Sequence, residues 1–297
     1  MRYKLAVIGI ILSLFISVPG CQALGKSLEQ MGYTKGGKMV QAAGAAGAAL
    51  APFSIDEEVE IGRAMAARLI EASGGIYPDE QLNRYVNLVG RTVALNVDRT
   101  DLDASMYQFA ILNTNEINAF AAPGGYVLVT KGTLRTITNE AELAGVLAHE
   151  ISHVDKEHLL SAIKAAHGTE FVSQMVSLYN ENDNSKLNKL LGSSSEAGLS
   201  VLYKKGLSRE CEREADENAV KLLARAGYYP GGLEDFLQRI KGQMAQNNSG
   251  FKTLTATHPA PETRIKTIEN YSAQKHYQAS AGQKLADRYT RYVQGVK

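Results

Sequence analysis

His149, Glu150 and His153 are the residues of this 297-residue chain whose types and spacing point most directly to chemistry. At about 100° per residue, positions i and i+4 share one helix face, so both imidazoles can reach a single Zn²⁺ at about 2.0 to 2.1 Å. Glu150 lies beside that face, near enough to act on a water held there. This His-Glu-x-x-His spacing is the zinc-protease signature. Leu143, Val146, Leu147, Ile151 and Val154 recur at three-to-four spacing, and Asn139 with Glu142 resembles a capping box, so the pattern predicts a half-buried helix. Two incidental histidines on a helix would look the same, and a further ligand has to decide between the readings.

A zinc site of this kind takes a third protein ligand and leaves a fourth position for water. Metzincins place a histidine six residues after the second one, with a glycine between; Leu159 and Lys156 stand there, which excludes them. His158 falls about 140° around a continuing helix and receives no ligand role. The acidic segment from Ser208 to Ala226 is more informative. Its apolar stripe runs through Ala215, Ala219, Leu222, Leu223 and Ala226. Glu212 and Asp216 fall on that stripe, whereas Glu214 and Glu217 are rotated toward solvent. Two acids on a buried face need a partner. One Zn²⁺ held by His149, His153 and Glu212, with Asp216 accepting a hydrogen bond from a ligand imidazole, satisfies both; the alternative is a merely solvated acidic helix.

Other elements must position these groups. Ser54 and Glu57 form a capping box ahead of Val59, Ile61, Met65, Leu69 and Ile70, which predicts a helix. Asp79 to Leu95 predicts a second helix through Leu82, Tyr85, Val86, Leu88 and Val89. Tyr107 to Leu112 and Tyr126 to Thr130 are β-prone, separated by turn formers and small residues from Asn113 to Gly125, and they predict two or three strands of a small sheet. Residues 178–200 are polar and rich in Gly and Ser, either a gate over the cleft or a variable surface loop. Helices follow Pro261 and cover 280–295. There are no repeats, and the expected class is α+β, mainly helical.

The composition, 44% hydrophobic and 21% charged with a formal net charge of +1, is that of a globular protein. Without a basic run or aromatic-basic interleaving, nothing favours nucleic acid as a partner. Arg2 and Lys4 precede the apolar run Leu5 to Val18, which spans roughly 21 Å as a helix against about 30 Å of hydrocarbon, so residues 1–21 read as a secretory signal peptide. Gly20-Cys21 resembles a bacterial lipobox, with Pro19 where Ala, Ser or Thr is usual. Lipidation at Cys21, with Gln22 lacking the aspartate of inner-membrane retention, would place the protein at the outer membrane facing the periplasm; simple cleavage would leave it soluble there. Cys211 is the other cysteine and reads as a buried filler. The expected division is signal peptide 1–21, Gly/Ala-rich tether 22–52, metallopeptidase domain 53–275 and a C-terminal helix in 276–297 that packs on it.

The chain resembles metallopeptidase family forty-eight, the group of HtpX-like heat-shock proteases, CAAX prenyl protease type 1 and periplasmic quality-control peptidases. The resemblance runs from about Ser54 to Ile268 and rests on Asn118-Ala119-Phe120 with Gly124-Gly125-Tyr126-Val127, His149 to His153, Ser208-Arg209 with Glu212 to Asp216, and His258-Pro259 with Arg264. It implies a zincin-like (gluzincin) domain with one Zn²⁺ per chain, Glu212 as third ligand and Asp216 behind the site. It also implies that the strand near Asn118 to Val129, with Asn118, Ala119 and Phe120 as substrate-binding residues, is the edge along which an unfolded polypeptide lies. His258 and Arg264 are expected near the metal, either as oxyanion donors or, for a neutral His258, as an occupant of the open position in a resting form. Transmembrane and tetratricopeptide patterns are missing, so prenyl processing is not expected. The function implied is an exported zinc endopeptidase acting on unfolded or misassembled periplasmic proteins, with Glu150 as the proton-transferring group. The alternative is a zinc-bound chaperone or assembly factor that uses the same groove without turnover.

Overall fold

The computed structural model describes residues 53–163, 206–246, 251–277 and 282–296; the leader with Cys21, the tether and residues 178–200 lie outside the described residues. The described residues from Ser54 onward belong to one compact unit.

Side-chain caps set the helix starts. At α1 (Ile55–Ala72) the Glu57 amide donates to Ser54 Oγ while Glu57 Oε2 accepts from the Ser54 amide at 2.8 Å, a reciprocal box. Asp79 caps α2 (Glu80–Ala94), and Ser208 caps α5 (Arg209–Arg225) by accepting from the Cys211 amide. At α4 (Glu140–Asp155) only half of the expected box forms. The Glu142 amide donates to Asn139 Oδ1 at 3.1 Å, but the Glu142 carboxylate turns to the Thr138 amide and the Asn139 side-chain amide.

Three strands form a mixed sheet in the order β1-β3-β2, where β1 is Gln108–Leu112, β2 is Ala119–Ala122 and β3 is Tyr126–Thr130. β3 pairs parallel with β1 and antiparallel with β2, in register Ala119 opposite Val129. This corrects two expectations. Ala119–Ala122 is a strand within what reads as a turn segment; all four residues are buried, so no polar alternation marks it. Val127 to Val129 belong to the central strand β3, and β1 and β2 are the outer strands. The outer side of β1 is taken. Asn87 Nδ2 donates to the Phe109 carbonyl at 2.6 Å, the Ile111 amide donates to Asn83 Oδ1, and the Tyr77 amide donates to the Ile111 carbonyl.

α4 is the axis of the unit, and the expectation of a half-buried helix is also corrected: every residue from Glu140 to Asp155 is buried. It packs against α5, α6 (Gly232–Gln246), α2 and β2. Small residues on its second face allow this. A Cβ on Gly145 would stand 2.4 Å from the Leu233 backbone nitrogen, and one on Gly232 would stand 2.1 Å from the Ala141 carbonyl. The short helices α3 (Lys131–Thr136) and α7 (Lys252–Thr257), then α8 (Pro261–Gln274) and α9 (Ala286–Val293), complete the unit. Among the described residues no helix is long and apolar enough to cross a membrane.

Candidate metal centre

α4 and α5 cross so that three side-chain tips converge. His149 Nε2 and His153 Nε2 stand 3.1 Å apart, with Glu212 Oε2 3.6 Å from the first and Glu212 Oε1 3.4 Å from the second. His258, at the end of α7, adds Nδ1 at 2.8 Å from Glu212 Oε2, and one ligand atom from each of the four residues lies within 4.8 Å of the others. His149, His153 and Glu212 are 1–3% exposed, and Glu212 Oε1 is buried without a hydrogen-bond partner among the described residues. Two imidazole nitrogens tip to tip beside an unsatisfied carboxylate oxygen are costly in water-free surroundings unless a cation joins them. Two His nitrogens with one carboxylate oxygen match the donor set of a three-ligand zinc site.

Asp216 lies one turn along α5 from Glu212. Its Oδ1 is 3.0 Å from His149 Nδ1, and its carboxylate accepts from Arg264 Nε at 3.2 Å and Nη2 at 2.7 Å. The sequence reading assigns Asp216 to a ligand imidazole, and His149 is the ring beside it. Burial alone would push the Asp216 carboxyl up, but Arg264 and His149 outweigh it and hold the group below the ordinary carboxylate range. Glu212 is likewise raised by burial and brought well below its ordinary value by His258, His149 and His153. Burial lowers His153, whereas Asp216 and Glu212 lift His149 to about 9 against burial and the nearby Arg264 charge.

Arg264 stands beside the candidate ligands: Nε and Nη2 contact Asp216, Nη2 is also 3.0 Å from His149 Nδ1, and the residue lines a cavity together with Glu150. His158 departs from its expected direction. α4 ends at Asp155, and Glu157 adopts φ 52°, in the left-handed region, so the chain turns instead of continuing the helix. His158 therefore folds back against His153, Nδ1 to Nδ1 at 2.9 Å, and its Nε2 meets Glu214 Oε2 at 3.2 Å. Glu214, expected to face solvent, is about half exposed and still makes this contact. One sequence signal existed: His149, His153 and His158 fall within ten residues of one another. Cys211 is partly exposed rather than a buried filler, with Ser208 Oγ donating to its sulfur at 3.1 Å.

Glu150 is 4% exposed and lines two neighbouring cavities. One is bounded by Ala119, Phe120 and Ala121 of β2 together with His153 and Leu207. The other has Ile117, Val146, Leu233 and Phe236 as apolar walls, with Asn118 at its edge. Asn118 Oδ1 accepts from the Ala119 amide at 3.0 Å, and its buried Nδ2 has no partner among the described residues, which leaves a donor beside the cleft.

Residues 80–272 match the model of Peptidase family M48. The chain belongs to this peptidase family. Membership makes it a metallopeptidase, and His149, His153 and Glu212 form its candidate metal site. It is 30% identical over 229 residues to the Beta-barrel assembly-enhancing protease of Yersinia pestis, covering 75% of this chain and 46% of that protein. Its counterpart in Escherichia coli gives 30% over 231 residues, 75% of this chain and 45% of the relative. The Protease HtpX homolog of Salinibacter ruber is 27% identical over 194 residues, 58% of this chain and 70% of that protein. The chain thus spans under half the length of the two assembly-enhancing proteases.

Proposed function

We propose that this metallopeptidase is a zinc-dependent endopeptidase of zincin-like fold. The observation that carries the reading is the meeting of His149, His153 and Glu212 around a buried, unsatisfied carboxylate oxygen. A zinc ion bound there would polarise the scissile carbonyl and lower the pKa of the attacking water. Glu150 lines both cavities, one together with His153 and Glu212 and the other with His149, so it takes the proton from that water and returns it to the leaving amine. With the outer side of β1 occupied, β2 is the edge on which an extended polypeptide pairs through main-chain hydrogen bonds, with Asn118 Nδ2 as an added donor. Backbone pairing with little side-chain selectivity suits unfolded or misassembled substrates. The printed names of the two assembly-enhancing relatives direct this reading toward outer-membrane β-barrel quality control. Export by residues 1–21 and anchoring through Cys21 would place it there.

Metal analysis combined with a casein assay tests the proposal. Activity is expected to vanish with chelator and return with zinc. Glu150→Gln is expected to retain metal and fold while losing at least about a hundredfold in cleavage; full activity in a clean preparation would refute the assignment. A resting form is favoured by His258, whose ring nitrogen joins the ligand group. His258→Ala should raise casein cleavage severalfold, and unchanged cleavage would discard the resting form.

A further inference from the structure

We infer that His158 and Glu214 are positioning residues for the metal ligand His153, and that they complete a two-sided support in which each ligating imidazole is oriented from behind. The inference rests on the metal reading above. His149 has Asp216 at its Nδ1, 3.0 Å away. Among the described residues His153 has no carboxylate at the same position. Its Nδ1 instead meets His158 Nδ1 at 2.9 Å, and His158 Nε2 meets Glu214 Oε2 at 3.2 Å. The hydrogens in this chain have one consistent arrangement. If His153 binds the metal through Nε2, its Nδ1 carries the hydrogen and donates to His158, whose Nδ1 must then be bare. His158 consequently carries its hydrogen on Nε2 and donates to Glu214. The carboxylate thereby fixes the tautomer of His158, His158 fixes that of His153, and the lone pair of His153 Nε2 is aimed at the metal.

The backbone bears a cost for this contact. Glu157 holds φ 52°, in the left-handed region that residues other than glycine rarely adopt. Without that turn His158 would sit about 140° around the helix from His153. His158 is 5% exposed and His153 3%, so the link between the rings is shielded from water, while Glu214 forms its outer end.

The test uses the full-length protein with His158→Phe, His158→Asn and Glu214→Gln. Zinc affinity is measured by competition with a chromophoric chelator, the ligand field by visible absorption of the cobalt-substituted protein, and folding by the unfolding midpoint of the metal-free protein. His158→Phe removes the acceptor and is expected to weaken zinc binding by about 10- to 100-fold and shift the cobalt spectrum. His158→Asn places an oxygen where Nδ1 stood and should recover most of that affinity. Glu214→Gln, at the exposed end, should cost about threefold to tenfold, with an unaltered metal-free midpoint. Wild-type affinity and spectrum in both His158→Phe and Glu214→Gln would overturn the relay. If His158→Phe does not fold, Glu214→Gln decides alone, and its wild-type behaviour overturns the proposal. A wild-type protein that takes up no zinc would instead overturn the metal reading, and the relay with it.

Discussion

Asp216 and Arg264 are 0% and 5% exposed, and each is the other's main charged partner behind the metal centre. The net worth of such a buried pair is small, but removing one member strands the other without compensation, at about 3–5 kcal/mol. Asp216→Asn is therefore expected to destabilise the metal-free protein by about that amount in urea titration, and to weaken zinc binding by about 10- to 100-fold through His149. Adding Arg264→Met should restore most of the stability, because no buried charge is left alone, yet leave the zinc affinity low. Recovery of both together would show that the pair only stabilises the fold. At this scale the sequence was most legible for groups on regular helices: the i, i+4 spacing of His149 with His153 and of Glu212 with Asp216 is set by the helix period alone. His158 was not legible, because its position depends on where α4 stops, and Lys156-Glu157 carries no glycine or proline to mark that stop.

The turn that leaves the edge strand β2 is held in place by α1 through a close contact and a buried hydrogen bond. A Cβ on Gly62 would lie 1.7 Å from the Pro123 carbonyl oxygen, in the turn that joins β2 to β3. Glu58 accepts from the Gly124 amide at 2.9 Å and from Arg99 Nη1 at 2.9 Å, so the same helix fixes that turn by hydrogen bonds. Gly62→Ala must displace the turn or the helix, since the obstructing atoms are backbone. Overpacking of this kind costs about 1–3 kcal/mol. Because β2 borders the cleft with Glu150, the substitution is expected to lower kcat/KM for casein-derived peptides by about tenfold or more while metal content stays at the wild-type level. An unchanged kcat/KM would show that β2 does not guide substrate. The long amphipathic helices were readable from their apolar spacing and caps, whereas β2 was not, since four consecutive buried residues, three of them alanine, give no period to read.

Across the whole molecule, Glu140 at the start of α4 gathers elements distant in the chain. It is fully buried and accepts from Tyr85 Oη at 2.8 Å and Tyr228 Oη at 2.6 Å, and it is ion-paired with Arg288 of α9. Tyr289 is also buried, and its hydroxyl donates to the Leu134 carbonyl. Burial first, with Glu140 beside them for Tyr85 and Tyr228, holds these phenols well above their ordinary value of 10. A raised folded-state pKa contributes stability that is fully present below the unfolded value, near pH 10, and is lost as pH rises toward the folded value. The metal-free protein is therefore expected to lose stability steadily above about pH 10, with tyrosinate absorbance of the buried rings appearing only together with unfolding. Gradual titration of all tyrosines at their ordinary value without unfolding would contradict the network.

The sequence by itself determined that two helices each carry ligand-type residues on one face, because helical geometry is local and turns spacing into direction. Its motifs also sufficed to place the chain in a metallopeptidase family, since the residues that do the chemistry fall into short, recognisable runs. Only the tertiary structure decided that the two faces meet, that Arg264 supports Asp216 and that β2 forms the edge beside Glu150. It also decided that His158 turns back onto His153. Each of these depends on packing between segments far apart in the chain, and on where a helix is interrupted, and neither is encoded in the period of any single element.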